Sequence, residues 1–184
     1  MNDFGVILLA GGKSSRMGED KGLMSLFGKP MAEYVLEKVN ELTNNVIIIT
    51  ENSNYSQFGY PIYKDLIKNC GPLGGIYTGL MKSEHDLNLI VSCDIPYVKS
   101  GLIKFLYYQT EDFEVTVPMY NDRIHPLIGF YKKSCIEKIK YNLDEEKYKV
   151  ADVFKYCKTN VVDTDEFDEI VFKNVNSKKD IQPF

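Results

Sequence analysis

Tryptophan is absent from this sequence, and histidine occurs only twice, at His85 and His125. The four cysteines, Cys70, Cys93, Cys135 and Cys157, lie far apart and form no C-x-x-C pair. A structural zinc site is therefore not expected, and neither is a disulfide scaffold. The cysteines read as reduced and mostly buried, which fits the cytoplasm. No apolar run approaches the ~20 residues of a membrane span. The opening MNDFGVILLAGG lacks a basic stretch, and its apolar run is too short for a secretory signal. Basic charge is also scarce: 22 Lys and Arg against 26 Asp and Glu leave a formal charge of −4. That balance argues against a nucleic-acid partner, because binding a phosphate backbone needs clustered cations. It leaves room for a small polyanionic substrate held by one local basic loop.

What the chain does have is material for a core. Apolar residues make up 44% of 184 positions, enough for one ordinary domain spanning 1–184. Short apolar runs at 4–10, 45–50, 87–93 and 113–118 predict strands, three of them too continuously apolar for a sheet with an exposed face. Between them, 30–42 opens with Pro30 and places Met31, Tyr34, Val35, Lys38 by its stem, Val39 and Leu42 on one helical face. Helices are also predicted over 74–83 and over 100–109, the latter with Ser100 as N-cap. This alternation predicts an α/β fold: three layers, a doubly wound, mostly parallel sheet with helices on both faces. The second half is expected to add a strand at 125–133, a helix at 147–157 and strands at 159–164 and 168–175. The acidic run 163–169 has Asp168 where a calcium loop needs glycine, and reads as a solvated hairpin turn.

The first strand runs into LLAGGKSSRMGEDKGL, residues 8–23. A Walker A loop would need glycine at position 7, where Ile7 stands, and a G-x-G-x-x-G dinucleotide fingerprint fails as well. What remains is a glycine-containing loop past the C-terminal end of a strand, where open α/β sheets bind ligands. Gly11 and Gly12 let backbone approach a base or phosphate, and Arg16 and Lys21 supply two cations suited to a triphosphate. A second glycine-rich stretch, GPLGGI at 71–76, follows Asp65. Asp94 stands directly beyond the apolar run 89–93, at the ligand-binding edge of the sheet. There a lone carboxylate suits Mg²⁺, which is typically held by one or two carboxylates plus substrate phosphates. The alternative for Asp94 is a strand-end residue capping the following turn.

Residues 9–21, L-A-G-G-K-S-S-R-M-G-E-D-K, resemble the signature L-A-G-G-x-S-x-R-M-G-x-D-K of MobA-like nucleotidyltransferases of the molybdopterin guanylyltransferase type. Every specified position matches, and Gly11-Gly12 favours the guanylyl over the sugar-nucleotide and cytidylyl branches, which usually carry L-A-A-G. Cys93-Asp94-Ile95-Pro96 is similar to the family's C-D-x-P, which supplies the metal aspartate, and NVNSKKD at 174–180 resembles its N-x-N-[ST]-x-x-D ending.

The resemblance implies a Rossmann-like nucleotidyltransferase fold, with a nucleotide-binding half over about 1–100 and an acceptor-binding half over about 101–184. It implies Mg²⁺-dependent transfer of GMP from GTP to molybdopterin, with release of pyrophosphate. Leu9, Ala10, Gly11, Gly12, Asn52, Asp65, Gly71, Gly74 and Gly75 would bind the nucleotide, Asp65 choosing guanine by its adjacent N1–H and exocyclic amine. Arg16 and Lys21 would hold the phosphates, and Asp94 the nucleotide's metal. His125, Asn174 and Asn176 would face the acceptor, the two asparagines from alternate positions of a strand. His125 stands where many relatives carry Gln or Glu, so it reads as an oriented pocket residue rather than a base. Transient contact with molybdenum cofactor delivery or acceptor proteins is a further expectation. Two other functions remain open: a cytidylyltransferase acting on molybdopterin or on a sugar or isoprenoid phosphate, and a non-catalytic nucleotide-binding domain.

Overall fold

The computed structural model describes residues 4–11, 20–176 and 180. The first strand, β1 (Gly5–Leu9), is buried along its whole length. Successive residues point to opposite faces of a strand. Accordingly Val6 and Leu8 enter one hydrophobic cluster while Ile7 and Leu9 enter another. A strand apolar on both faces needs a layer of helices on each side, and the chain provides them.

The elements then follow in order. A small hairpin of β2 (Ser25–Leu26) and β3 (Lys29–Pro30) leads into α1 (Met31–Asn40), β4 (Val46–Ile49), β5 (Ile62–Tyr63) and α2 (Gly71–Lys82). Next come β6 (Leu87–Ser92), α3 (Ser100–Tyr107), β7 (Val115–Tyr120), β8 (Arg123–Ile124), β9 (Ile128–Lys132), α4 (Ile136–Asp144), α5 (Val150–Val153) and β10 (Thr159–Asp163). The main sheet has the order β10-β7-β9-β6-β1-β4-β5, with β8 paired to β7. Parallel registers join β1 to β4 (Val6 opposite Val46), β1 to β6 (Val6 opposite Leu89), β4 to β5, and β7 to β10. β9 alone among the strands of this path runs against its neighbours β6 and β7. The cluster of Val6 and Leu8 takes Val35, Leu36 and Val39 from α1 and Leu102, Ile103 and Leu106 from α3. That of Ile7 and Leu9 takes Leu73, Ile76 and Leu80 from α2 and Ile139 and Leu143 from α4. The result is the expected three-layer, doubly wound and mostly parallel α/β fold.

α2 lies unusually close to β1. A Cβ on Gly79 would stand 2.3 Å from Ile7 Cγ2, and one on Gly75 would stand 3.0 Å from Leu9 Cδ2. These two glycines, one helical turn apart, set the spacing of the layers beside the first strand.

Several expectations are corrected. Residues 168–175 form no strand. Asp168 accepts the Ile170 N–H at 3.1 Å and caps a short 3-10 helix over Glu169–Phe172. Val171 and Phe172, adjacent in sequence, are both buried there, which the alternation of a strand does not allow. Consequently 163–169 is not a hairpin turn, and Asn174 and Asn176 do not lie on a strand. The helix expected at 147–157 shrinks to the four residues of α5, because the chain must straighten by Thr159 to pair with Val115. α2 begins at Gly71 rather than 74. Ser100 is not a cap: it is the first residue of α3, and its hydroxyl donates to Glu41 Oε2 at 2.6 Å.

Gly79→Ala is expected to lower stability by about 1–3 kcal/mol through overpacking against Ile7, although alanine is by itself the better helix former by ~1 kcal/mol. Urea unfolding measures it, and an unchanged midpoint would mean that α2 can move off the sheet without cost.

Candidate functional site

β1 is the switch point of the sheet: the chain goes from it to β4 and β5 on one side, then returns to β6 on the other. Crevices form outside the C-terminal ends of strands at such a point. A cavity of about 760 Å³ lies here, walled by Leu9, Ala10 and Gly11 after β1, Ile49 to Asn52 at the end of β4, Asp65, and Gly71, Pro72 and Gly75 of α2. Ser92 at the end of β6 and Leu127 close its far side. Gly71 has φ of +60°, a left-handed conformation suited to glycine at this turn into the helix. Gly74 is not part of the wall, and the place of its missing side chain is occupied by the Ile67 carbonyl, 2.9 Å from where a Cβ would be.

Asp65 is the distinctive group in this cavity. Its Oδ1 is buried without a hydrogen-bond partner. Burial pushes its carboxyl up, and the negative charge of Glu51 adds to the effect. An orphaned acceptor on a residue that lines a cavity is costly unless a ligand supplies donors to the carboxylate.

A second cavity, about 700 Å³, opens beside the first, between β7–β8 and the segment following β10. Phe172 stacks on Tyr120 at 5.0 Å between ring centroids and meets His125 at 4.8 Å with the rings tilted by 37°. Its polar wall includes the cations Arg123 and Lys173, the carboxylates Asp168 and Glu169, and the amides of Asn174 and Asn176. Burial lowers His125 to about 4, and the Arg123 guanidinium pushes the same way, so the imidazole is neutral at pH 7.

Asp94 and Lys21 occupy the seam between the two cavities. Asp94 Oδ1 accepts from the Ser92 hydroxyl at 2.6 Å, on the first cavity's wall, and its Oδ2 faces Asn174 Nδ2 at 3.4 Å, on the second's. The Asp94 carbonyl also accepts the Val175 N–H at 2.8 Å, which straps the late segment onto the end of β6. Lys21 Nζ donates to Asn176 Oδ1 at 2.7 Å. The two asparagines thus reach the site from an irregular strap, not from a strand. Gly12 and Arg16 lie outside the described residues.

A family model for the MobA-like NTP transferase domain matches residues 6–160. The chain belongs to this family. A Flavobacterium johnsoniae protein named "Probable molybdenum cofactor guanylyltransferase" is 34% identical over 98% of this chain and 96% of its own. A Vibrio vulnificus molybdenum cofactor guanylyltransferase is 32% identical, covering 97% and 93%. The structure of molybdopterin-guanine dinucleotide biosynthesis protein A from Archaeoglobus fulgidus superposes with a TM-score of 0.81 at 23% identity, over 98% of this chain and 94% of that one. A Thermus thermophilus 2-C-methyl-D-erythritol 4-phosphate cytidylyltransferase shares the fold at 0.73 and 14%, over 97% and 95%. The architecture alone therefore does not choose the base.

In this MobA-like chain sequence reasoning passed over several groups. Asp20 lies within the quoted signature, yet only the folded chain shows its carboxylate taking the Tyr55 hydroxyl at 2.6 Å and the Asn52 amide at 3.0 Å. Ser92, Glu51, Tyr120, Arg123 and Phe172 carried no local signal at all. The cysteines offer no nucleophile at the site: the Cys93 thiol is buried and pushed up to about 12. Among the described residues no group of three or more His, Cys, Asp or Glu could hold a metal unaided, and no helix is long and apolar enough to cross a membrane.

The His125 imidazole is expected to titrate near 4 in the folded protein, read from its ring proton resonances by NMR. Its folded value lies below the ~6.5 of an unfolded chain. His125 therefore contributes stability that is present above about pH 6.5 and lost as pH falls through about 4. His125→Gln should remove that part of the acid sensitivity, and an unchanged pH profile would contradict the assignment.

Proposed function

We propose that this protein is a molybdenum cofactor guanylyltransferase, moving GMP from GTP to the phosphate of molybdopterin with release of pyrophosphate. The observation that carries the reading is the seam: one carboxylate and one ammonium stand where a cavity with an orphaned acceptor meets a cavity with an aromatic wall.

In this reading guanine enters the first cavity beside Leu9, Ala10 and Gly11. Its N1–H and exocyclic amine form a pair of donors that match the Asp65 carboxylate, whose Oδ1 has no partner within the protein. Cytosine lacks that pair. The triphosphate then extends toward Lys21, whose ammonium neutralises charge as pyrophosphate leaves. The acceptor pterin lies in the second cavity, where Tyr120 and neutral His125, backed by buried Phe172, give flat surfaces and Arg123, Asn174 and Asn176 give polar contacts. One of the acceptor phosphate's oxygens forms the new bond to the α-phosphorus as the bond to the β-phosphate's bridging oxygen breaks. That oxygen is already ionised at neutral pH, so the chain needs no general base. Holding the two phosphates in line supplies much of the rate.

The Asp94 carboxylate fits a magnesium ion shared with substrate phosphates, which would add charge neutralisation at the α-phosphate. Arg16 and Gly12 are assigned to the phosphate loop with Gly11. The nucleotide-binding work falls to residues up to about 100 and the acceptor contacts to the later part of the chain.

Calorimetric titration of GTP, CTP, UTP and ATP with Mg²⁺, followed by pyrophosphate release on adding molybdopterin, tests the reading. GTP should bind best and turn over; preference for CTP would replace guanylyl with cytidylyl transfer. Asp94→Asn is expected to cut turnover by about 10²-fold or more, with thermal midpoint unchanged, and full activity in that variant would remove Asp94 from the chemistry. Asp65→Asn should reduce discrimination between GTP and CTP by about tenfold or more, the cost of mismatching a buried polar group. Because burial raises the free Asp65 carboxyl, GTP affinity should weaken as pH falls through that raised value, more than CTP affinity does. The two nucleotides carry the same phosphates, so equal pH dependence would count against Asp65.

A further inference from the structure

Tyr55 is a fully buried tyrosine whose hydroxyl is spent on the residue before Lys21. It stands in the 3-10 helix Ser53–Phe58 that follows β4. Its OH donates to Asp20 Oδ1 at 2.6 Å, and the Gly22 N–H donates to the same oxygen at 3.1 Å. Asn52 Nδ2 donates to Asp20 Oδ2 at 3.0 Å, while Asn52 Oδ1 accepts the Asn54 N–H at 3.0 Å. Both oxygens of Asp20 are therefore occupied by neutral donors, one of them a phenol that burial holds in its protonated form. The packing is tight: a Cβ on Gly22 would stand 2.1 Å from the Tyr55 oxygen and 2.9 Å from Cys93 Sγ. The same phenol lies 4.0 Å from Cys93 Sγ. One side chain thus touches the immediate sequence neighbour of Lys21 on one side and of Asp94 on the other.

We infer that Tyr55 and Asn52 are positioning residues, which act through Asp20 to fix where Lys21 presents its ammonium relative to Asp94. The inference deepens the function proposed above and rests on it for the role of Lys21. It also reassigns Asn52: its amide serves the Asp20 carboxylate rather than the nucleotide. Asp20 needs donors on both oxygens. Asparagine at position 20 would turn an amide toward the amide of Asn52, donor against donor. Aspartate at position 52 would repair that mismatch, since one oxygen can still accept from Asn54 N–H and the other can accept from the new amide.

The test is this exchange in the full chain: Asp20→Asn, Asn52→Asp, the pair together, and Tyr55→Phe, which keeps the buried ring but not the donor. Transfer from GTP is measured as kcat and KM, and Lys21 accessibility as its acylation rate by mass spectrometry. Asp20→Asn should lower kcat by about 10- to 100-fold with KM for GTP moving less than about threefold, and Tyr55→Phe by about tenfold. The paired exchange should regain most of the lost kcat. Lys21 acylation should speed up several-fold in each single variant and return toward wild type in the pair. A pair no better than Asp20→Asn, or Tyr55→Phe at wild-type rate and acylation, overturns the inference. Should wild type show no transfer, the proposed function fails, and the acylation pattern alone still decides whether this contact holds Lys21. If Asp20→Asn does not fold, Tyr55→Phe decides by the same two readouts.

Discussion

The close contact between α2 and β1 is the constraint on which the site depends. Ile7 and Leu9 fill the space that side chains at positions 79 and 75 would need. The helix is thereby drawn down onto the sheet, and its N-terminal turn, with Gly71 and Pro72, comes to rest at the level where β1 ends. That placement shapes one wall of the first cavity and brings Asp65 to it. A side chain at Gly79 would press into Ile7 and lift the helix, and one at Gly75 would displace the end of Leu9 at the cavity wall. The packing of the core and the dimensions of the site are therefore one geometric fact.

The chemistry needs little beyond this. Phosphate attacking phosphate needs no proton removed, so the chain spends its polar groups on place and charge. Ser92 and Asn174 hold Asp94 from opposite cavities, and Asn176 holds Lys21. The two asparagine bonds cross from one part of the chain to another, while the Ser92 bond is local, and the strap at 173–176 is secured through its own backbone to the end of β6. The site is assembled from three stretches more than 70 residues apart in sequence, which is why it must be built on a rigid sheet rather than on one loop.

The alternation of apolar strands and amphipathic helices was legible because each obeys its own period. β1, β4, β6 and α1 appear within a residue or two of their expected limits. The strap was misread because Ile170, Val171 and Phe172 satisfy a strand pattern equally well, and only the Asp168 cap decides against it. The turn between β2 and β3, with φ of 47° at Phe27 and 94° at Gly28, passed unnoticed because one short turn carries little pattern. Asp94, Lys21 and Asp65 could be named from motifs. Asn174 and Asn176 could be named as well, but as acceptor contacts and not as the partners of Asp94 and Lys21; the tie from Tyr55 to Asp20 could not, since a hydroxyl 35 residues away leaves no trace in spacing. Local sequence speaks for chemistry-bearing residues, whereas what orients them emerges only when distant segments meet.

The reversed strand β9 has a consequence of its own. In a wholly parallel sheet, every strand faces the ligand edge with its exit. β9 faces that edge with its entrance, so the stretch arriving from β8, which carries His125 and Leu127, is delivered to the rim from the opposite direction of travel. Leu127 touches the first cavity and His125 the second. This arriving stretch is tied to the exit of β6, where the Ser92 N–H donates to the Leu127 carbonyl at 3.1 Å, so it forms a wall common to both cavities. An inverted strand thus couples the two cavities within one sheet, because a change in the length of the stretch that enters it would move a wall of each.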